Sequence, residues 1–200
     1  MLKFFLYIFL HCMSFFVFDT ETCYDNIIQL CWYVIDTDYQ IIERNNYYVK
    51  PDGFYINNTH IHKIEHTTAV AKGIPLLYAI MLFEKSLEKY RPQYLVAHNI
   101  NYDIRILNKA YDKLKIDKSL LNSIGKFCTM SKSKQILQLK NSKGSSKNPK
   151  LIEIYNYLNN RELNTPLESA HNAFYDVKYT CDVFKKLHLF ENICETIRNI

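Results

Sequence analysis

The stretch "FFVFDTET", Phe15 to Thr22, ends a run of strand-forming residues on two carboxylates separated by one threonine. Side chains alternate faces along a strand, so Asp19 and Glu21 point the same way at the mouth of a buried strand. Like charges so close raise each other's proton affinity, and a site that collects them is suited to share a divalent cation. The same pattern also describes a polar strand end followed by an acidic turn. Two further segments carry residues of related chemistry. In "VAHNINYD", Val96 to Asp103, a strand passes through a polar turn into a helix, placing Asp103 in the first turns, facing the end of the first strand. An acid there also suits the helix dipole, and His98 and Asn99 also fit as turn residues. In "HNAFYD", His171 and Asp176 are five residues apart, about 500° around a helix, and do not share one stripe. A histidine at or before the helix start could swing over a pocket that Asp176 lines. Its imidazole, with a pKa near neutrality, is suited to take a proton from water. An N-terminal histidine on an amphipathic helix is the plainer alternative.

The elements that must position these groups are legible in outline. After the first strand come "IIQLCWYVID" (27–36) and "IIERNNYYVKP" (41–51), which with it suggest an antiparallel meander. Helical periodicity follows over 74–90, a short buried strand over 94–98 and a helix over 101–114, with Ile104, Leu107 and Tyr111 on one stripe. A strand-like segment (124–130) precedes helical stretches at 149–158 and 168–187. Three strands followed by alternating helices and strands describe a mixed α/β domain. Residues 15–200 read as a single domain, preceded by an apolar extension over 1–14.

Composition bounds the function. At 200 residues with 48% hydrophobic content, four glycines and five prolines, the chain is neither disordered nor a loop-rich scaffold. Its six cysteines are scattered without a C-x-x-C pair, which argues against a zinc cluster and a small disulfide framework. Reduced thiols in an intracellular setting, cytoplasm or nucleus, are the simplest account. "MLKFFLYIFLHCMS" falls short of the roughly 20 residues of a membrane span, and no small-residue cleavage site follows, so a stable span, secretion or tethering is not expected. The net charge of +5 has one source: eight lysines and no acid lie between Asp117 and Glu153, while the rest of the chain carries more acids than bases. Within that segment "NSKGSSKNPK" (141–150) reads as a mobile polar loop. Its Lys143, Lys147 and Lys150 form either a solvated surface or a track for a phosphate backbone.

Taken in order, Asp-x-Glu on a strand, Asp103 after "HNINY", and "HNAFYD" near the C-terminus make the chain resemble the DEDDh 3′→5′ exonucleases. That family includes the proofreading subunit of bacterial DNA polymerase III and the three-prime repair exonucleases. The resemblance spans roughly Phe15 to Leu187, including "IHKIEHTTAVAKGIP" (61–75) and "NPKLIEIYNYL" (148–158). It implies a ribonuclease H-like fold, a five-stranded mixed sheet flanked by helices. It also implies that Asp19, Glu21, Asp103 and Asp176 hold two Mg²⁺ or Mn²⁺ ions and that His171 is the general base. The expected partner is nucleic acid with a free, single-stranded 3′ end, DNA before RNA, in proofreading, repair or end trimming. A polymerase complex or a homodimer would match small family members. An exoribonuclease and a non-catalytic binding module are the alternatives. Thr20, Thr22, Tyr24, Asn99 and Tyr102 are the expected nucleic-acid contacts near the acids. The chain departs from the common Asp-x-Glu-Thr-x-Gly-Leu pattern in reading "DTETCYDN", so the apolar residue that wedges against the terminal base is absent in its usual form, and Tyr24 either substitutes by stacking or is a packing or turn residue. Tyr102 replaces the common phenylalanine.

Overall fold

This computed structural model describes residues 13–168 and 172–198, with side chains through Glu191. Most of the apolar extension (1–12), and His171, lie outside the described residues. A five-stranded sheet runs in the order β3-β2-β1-β4-β5. Strands β1 (Ser14–Cys23), β2 (Asn26–Asp36) and β3 (Ile41–Tyr48) form the expected meander. Strands β4 (Tyr94–Ala97) and β5 (Gly125–Cys128) add to β1 in parallel. The helices are α1 (Thr59–His62), α2 (His66–Lys72), α3 (Leu76–Tyr90), α4 (Ile100–Leu114), α5 (Ser119–Ser123), α6 (Thr129–Leu137), α7 (Leu151–Leu158) and α8 (Ala173–Arg198). This is the five-stranded mixed sheet flanked by helices that the resemblance implies.

The central strands read as nearly continuous apolar runs because both faces of the sheet are covered. In β1, Phe16 and Phe18 face one side and pack with Phe83 of α3 and Leu107 of α4. Phe15 and Val17 face the other and pack with Ile154 of α7 and Val177, Phe184 and Leu187 of α8. This alternation sets the site: continued two residues further, the odd-numbered face of β1 carries Asp19 and Glu21 toward α8, and the even-numbered face carries Thr20 toward α4.

Two segments differ from the sequence reading. The strand over 124–130 stops at Cys128, and Thr129–Leu137 is a helix. Only Thr129 and Ser133 of it are buried, so its apolar periodicity is faint. The 141–150 loop is an ordered turn: Asn141 Oδ1 accepts the backbone N–H groups of Lys143 at 2.9 Å and Ser145 at 3.0 Å. Gly144 takes the left-handed conformation there, at φ +78°. Among the described residues no helix is long and apolar enough to cross a membrane.

Gly73 closes α2 where the chain crosses the end of β3. A Cβ at this position would lie 2.3 Å from the Ala69 carbonyl oxygen and 2.7 Å from the Lys50 nitrogen. Both are backbone atoms, so Gly73→Ala should destabilise the protein by about 1–3 kcal/mol, measured by urea denaturation. An unchanged midpoint would show that this crossing can spread.

Candidate active site

The site lies at the end of β1, where each face of the strand meets a different helix. On the α4 side, Thr20 is buried, and its backbone N–H and hydroxyl both donate to Asp103 Oδ1, at 3.1 and 2.8 Å. Asp103 is in the first turn of α4 and 3% exposed. These two bonds orient its carboxylate against the strand. On the α8 side, Asp176 is in that helix's first turn. One carboxylate oxygen each from Asp19, Glu21 and Asp176 lies within 4.8 Å of the others, and all three residues are half-buried. Four acids from three distant segments are thereby gathered.

The electrostatics follow from the crowding. Burial, then the charges of Asp103, Asp176 and Glu21, hold the Asp19 carboxyl well above the ordinary carboxylate range. Glu21 is pushed up to about 8 by burial and by Asp176 and Asp103. Burial also lifts Asp103 to about 7, against the hydrogen bonds from Thr20, which favour its ionised form. Such a pocket holds protons or calls for positive charge. Hard carboxylate oxygens at this spacing are the donor set a divalent cation of the Mg²⁺ kind prefers.

The first turn of α8 is fixed by a residue the sequence reading passed over. Gln29, wholly buried in β2 opposite Glu21, accepts the Ala173 N–H at 3.2 Å. Its amide donates to Asn46 at 2.9 Å and to Asn172 at 3.4 Å. Asn172 Oδ1 also accepts the Phe174 N–H at 3.1 Å, and the Asn172 carbonyl accepts that of Asp176 at 3.0 Å. The signal was available in "IIQLCW": a glutamine inside a buried strand must find partners, and here they are the helix that bears Asp176. His98 has a comparable place at the end of β4. Its ring nitrogens contact Thr129 Oγ1 and the Pro149 carbonyl oxygen, each at 3.0 Å, and burial lowers its pKa to about 4, keeping it neutral. It ties the lysine loop to the α4 corner.

The remaining sequence-expected residues are spread more widely. Thr22 Oγ1 and the Tyr102 hydroxyl lie 2.6 Å apart beside the acids. Asn99 is exposed, and its carbonyl oxygen accepts the first N–H bonds of α4. Tyr24 is 71% exposed in the two-residue hairpin turn, and its hydroxyl accepts from Asn57 at 2.5 Å. Thr20 is turned inward, with its donors committed to Asp103. Lys143 and Lys150 are exposed, whereas Lys147 is ion-paired to Glu153.

Comparison with known proteins comes out in one direction. A family model described as exonuclease, RNase_T, matches residues 16–184. Escherichia coli exonuclease I in complex with a dA16 oligonucleotide is 16% identical, with a TM-score of 0.70 over 86% of this chain and 40% of that one. Its complex with a dT13 oligonucleotide gives 16% identity and a TM-score of 0.73 over 90% and 43%. Exonuclease X in complex with 5′ overhanging duplex DNA is 21% identical, with a TM-score of 0.62 over 89% of this chain and 93% of that one. The chain thus spans about two fifths of the length of exonuclease I. No curated protein matches it.

The raised acids make a pH prediction for the cation-free protein. Glu21 titrates near its ordinary 4.5 when unfolded and at about 8 when folded, so the folded state holds the proton more tightly. Its contribution to stability is complete below the unfolded value and is lost as pH rises through about 8. Glu21→Gln, which stays neutral, should therefore stabilise the chelator-treated protein by about 1–3 kcal/mol near pH 8 and by little near pH 5. Melting curves at the two pH values test this; an equal effect at both would remove the repulsion.

Proposed function

The chain belongs to the RNase_T exonuclease family, and from that premise and the geometry of its acidic pocket we propose that it hydrolyses the terminal phosphodiester bond at nucleic-acid 3′ ends, releasing 5′-mononucleotides. The observation that carries this reading is the convergence of Asp19, Glu21 and Asp176 within 4.8 Å, with Asp103 held against the same strand by Thr20. Asp19, Glu21, Asp103 and Asp176 would hold divalent cations, two ions of the Mg²⁺ or Mn²⁺ kind. When bound, these neutralise the acids and stabilise negative charge on the transferring phosphoryl group and the leaving 3′ oxygen.

The chain's own residues do the rest. Thr20 keeps Asp103 turned into the pocket. Gln29 and Asn172 hold the start of α8, so that Asp176 stays opposite Asp19. His171, just ahead of that anchored turn in sequence, accepts the proton of the attacking water, as its place in the family motif implies. The P–O3′ bond breaks, one product ends in a new 3′ hydroxyl, and the other leaves as a 5′-monophosphate. The exposed Tyr102 ring and Tyr24 offer aromatic faces to bases of any sequence. A single DNA strand is the favoured substrate, a choice supported by the oligodeoxynucleotides bound to exonuclease I.

Purified protein with Mg²⁺ should shorten a 3′-accessible DNA strand, and matched RNA more slowly. Asp19→Asn and Asp103→Asn should each lower kcat about a hundredfold or more, and His171→Ala about 10²- to 10⁴-fold, with circular dichroism unchanged. Shortening that survives Asp19→Asn, or that resists chelation, would reject the reading.

A further inference from the structure

The sequence leaves the lysine loop as either a solvated surface or a phosphate track, and the structure offers a second basic surface that leads directly from the acids. Tyr102, Arg105, Lys109 and Lys113 recur on α4 at intervals of three, four and four residues, so they share a stripe roughly 80° wide and about 16 Å long. All four are exposed. The stripe begins where the Tyr102 hydroxyl meets Thr22, one residue beyond Glu21. The β1–β2 hairpin lies alongside it. Asp25, at the hairpin tip, pairs with Arg105 at 3.0 Å and Lys109 at 2.5 Å, and the Arg105 guanidinium also sits 5.0 Å from the centre of the Tyr102 ring. Beyond Lys109 the surface opens into a cavity of about 380 Å³ lined by Lys50, Pro51, Phe54, Leu77 and Lys113, with Asp52 among its walls.

Two features separate this surface from an ordinary solvated helix face. Its cations are pre-oriented, because Asp25 and Tyr102 fix Arg105 and Lys109 while leaving their side chains 45% and 52% exposed. It also carries surplus positive charge, since one acid serves two bases and neither Lys113 nor Lys50 has an ion pair among the described residues. The lysine loop is less oriented: of its three lysines only Lys147 is held by an ion pair among the described residues. Lys147 is neutralised by Glu153, and elsewhere in the basic segment Lys118 pairs with Asp112 and Lys132 with Glu191.

We infer that the strand 5′ to the scissile end runs along α4, its phosphates on Arg105, Lys109 and Lys113 and its path ending at the Lys50 cavity. The inference rests on the exonuclease reading for its substrate class and assigns this surface the binding of the nucleotides behind the terminal one. Such a track makes affinity depend on strand length and salt, because each phosphate neutralised releases a condensed counterion.

The test separates binding from hydrolysis. Labelled oligothymidylate is titrated onto Asp19→Asn by fluorescence anisotropy across a salt series, with and without the added pair Lys109→Gln and Lys113→Gln. The pair should weaken binding about tenfold at low salt and reduce the slope of log K against log salt by about 0.7 for each lysine. In the active protein the same pair should lower the ratio of kcat/KM for a long strand to that for a dinucleotide by about tenfold. Absent hydrolysis in the parent protein would count against the exonuclease reading alone, since the anisotropy slope is read without it. An unchanged slope, or a slope flattened instead by Lys143→Gln with Lys150→Gln, overturns the α4 track.

Discussion

Four carboxylates in one half-buried pocket cannot all be ionised unless positive charge is shared among them, and the rest of this structure is organised to keep them together regardless. Each is held by something other than its neighbours. Asp19 and Glu21 are fixed by strand alternation in a β1 that is packed on both faces. Asp103 is held by two bonds from Thr20. Asp176 is held by a helix start anchored to buried Gln29. Remove the sheet's two-sided core and the repulsion would separate the acids.

The same strand does two jobs by parity. Its odd residues change from Phe15 and Val17, which build the α8-side core, to Asp19 and Glu21, which build the site. Its even residues change from Phe16 and Phe18, which pack α3 and α4, to Thr20, which holds Asp103. Core and site are thus consecutive stretches of one pleat, and a one-residue slip in register would bury the acids in the wrong layer. The ladder with β2, where Asp19 faces Cys31 and Glu21 faces Gln29, guards against that slip.

Much of this was legible in the chain itself. The alternation of "FFVFDTET" places both acids on one face, and the helix after "VAHN" puts Asp103 in a first turn. The meander was readable because β1, β2 and β3 are long and carry β-branched and aromatic residues. What the sequence hid were the contacts between segments far apart in it. Gln29 to Ala173 spans 144 positions, and no local pattern announces it beyond one polar residue in an apolar strand. Helix α6 escaped because its buried positions are the polar Thr129 and Ser133, which leave little apolar periodicity. The basic loop drew attention by composition, whereas the α4 stripe, scattered through an ordinary amphipathic helix, emerges only when Asp25 and Thr22 are seen beside it.

The central claim is that the clustered acids are a cation site whose repulsion is relieved by the ion. Calorimetric titration of Mn²⁺ onto the chelator-stripped protein near pH 7, repeated in buffers of different ionisation enthalpy, measures both binding and the protons displaced. Binding with proton release, abolished in a folded Asp19→Asn variant, is the predicted result. No binding, or binding that Asp19→Asn leaves intact, would contradict the account.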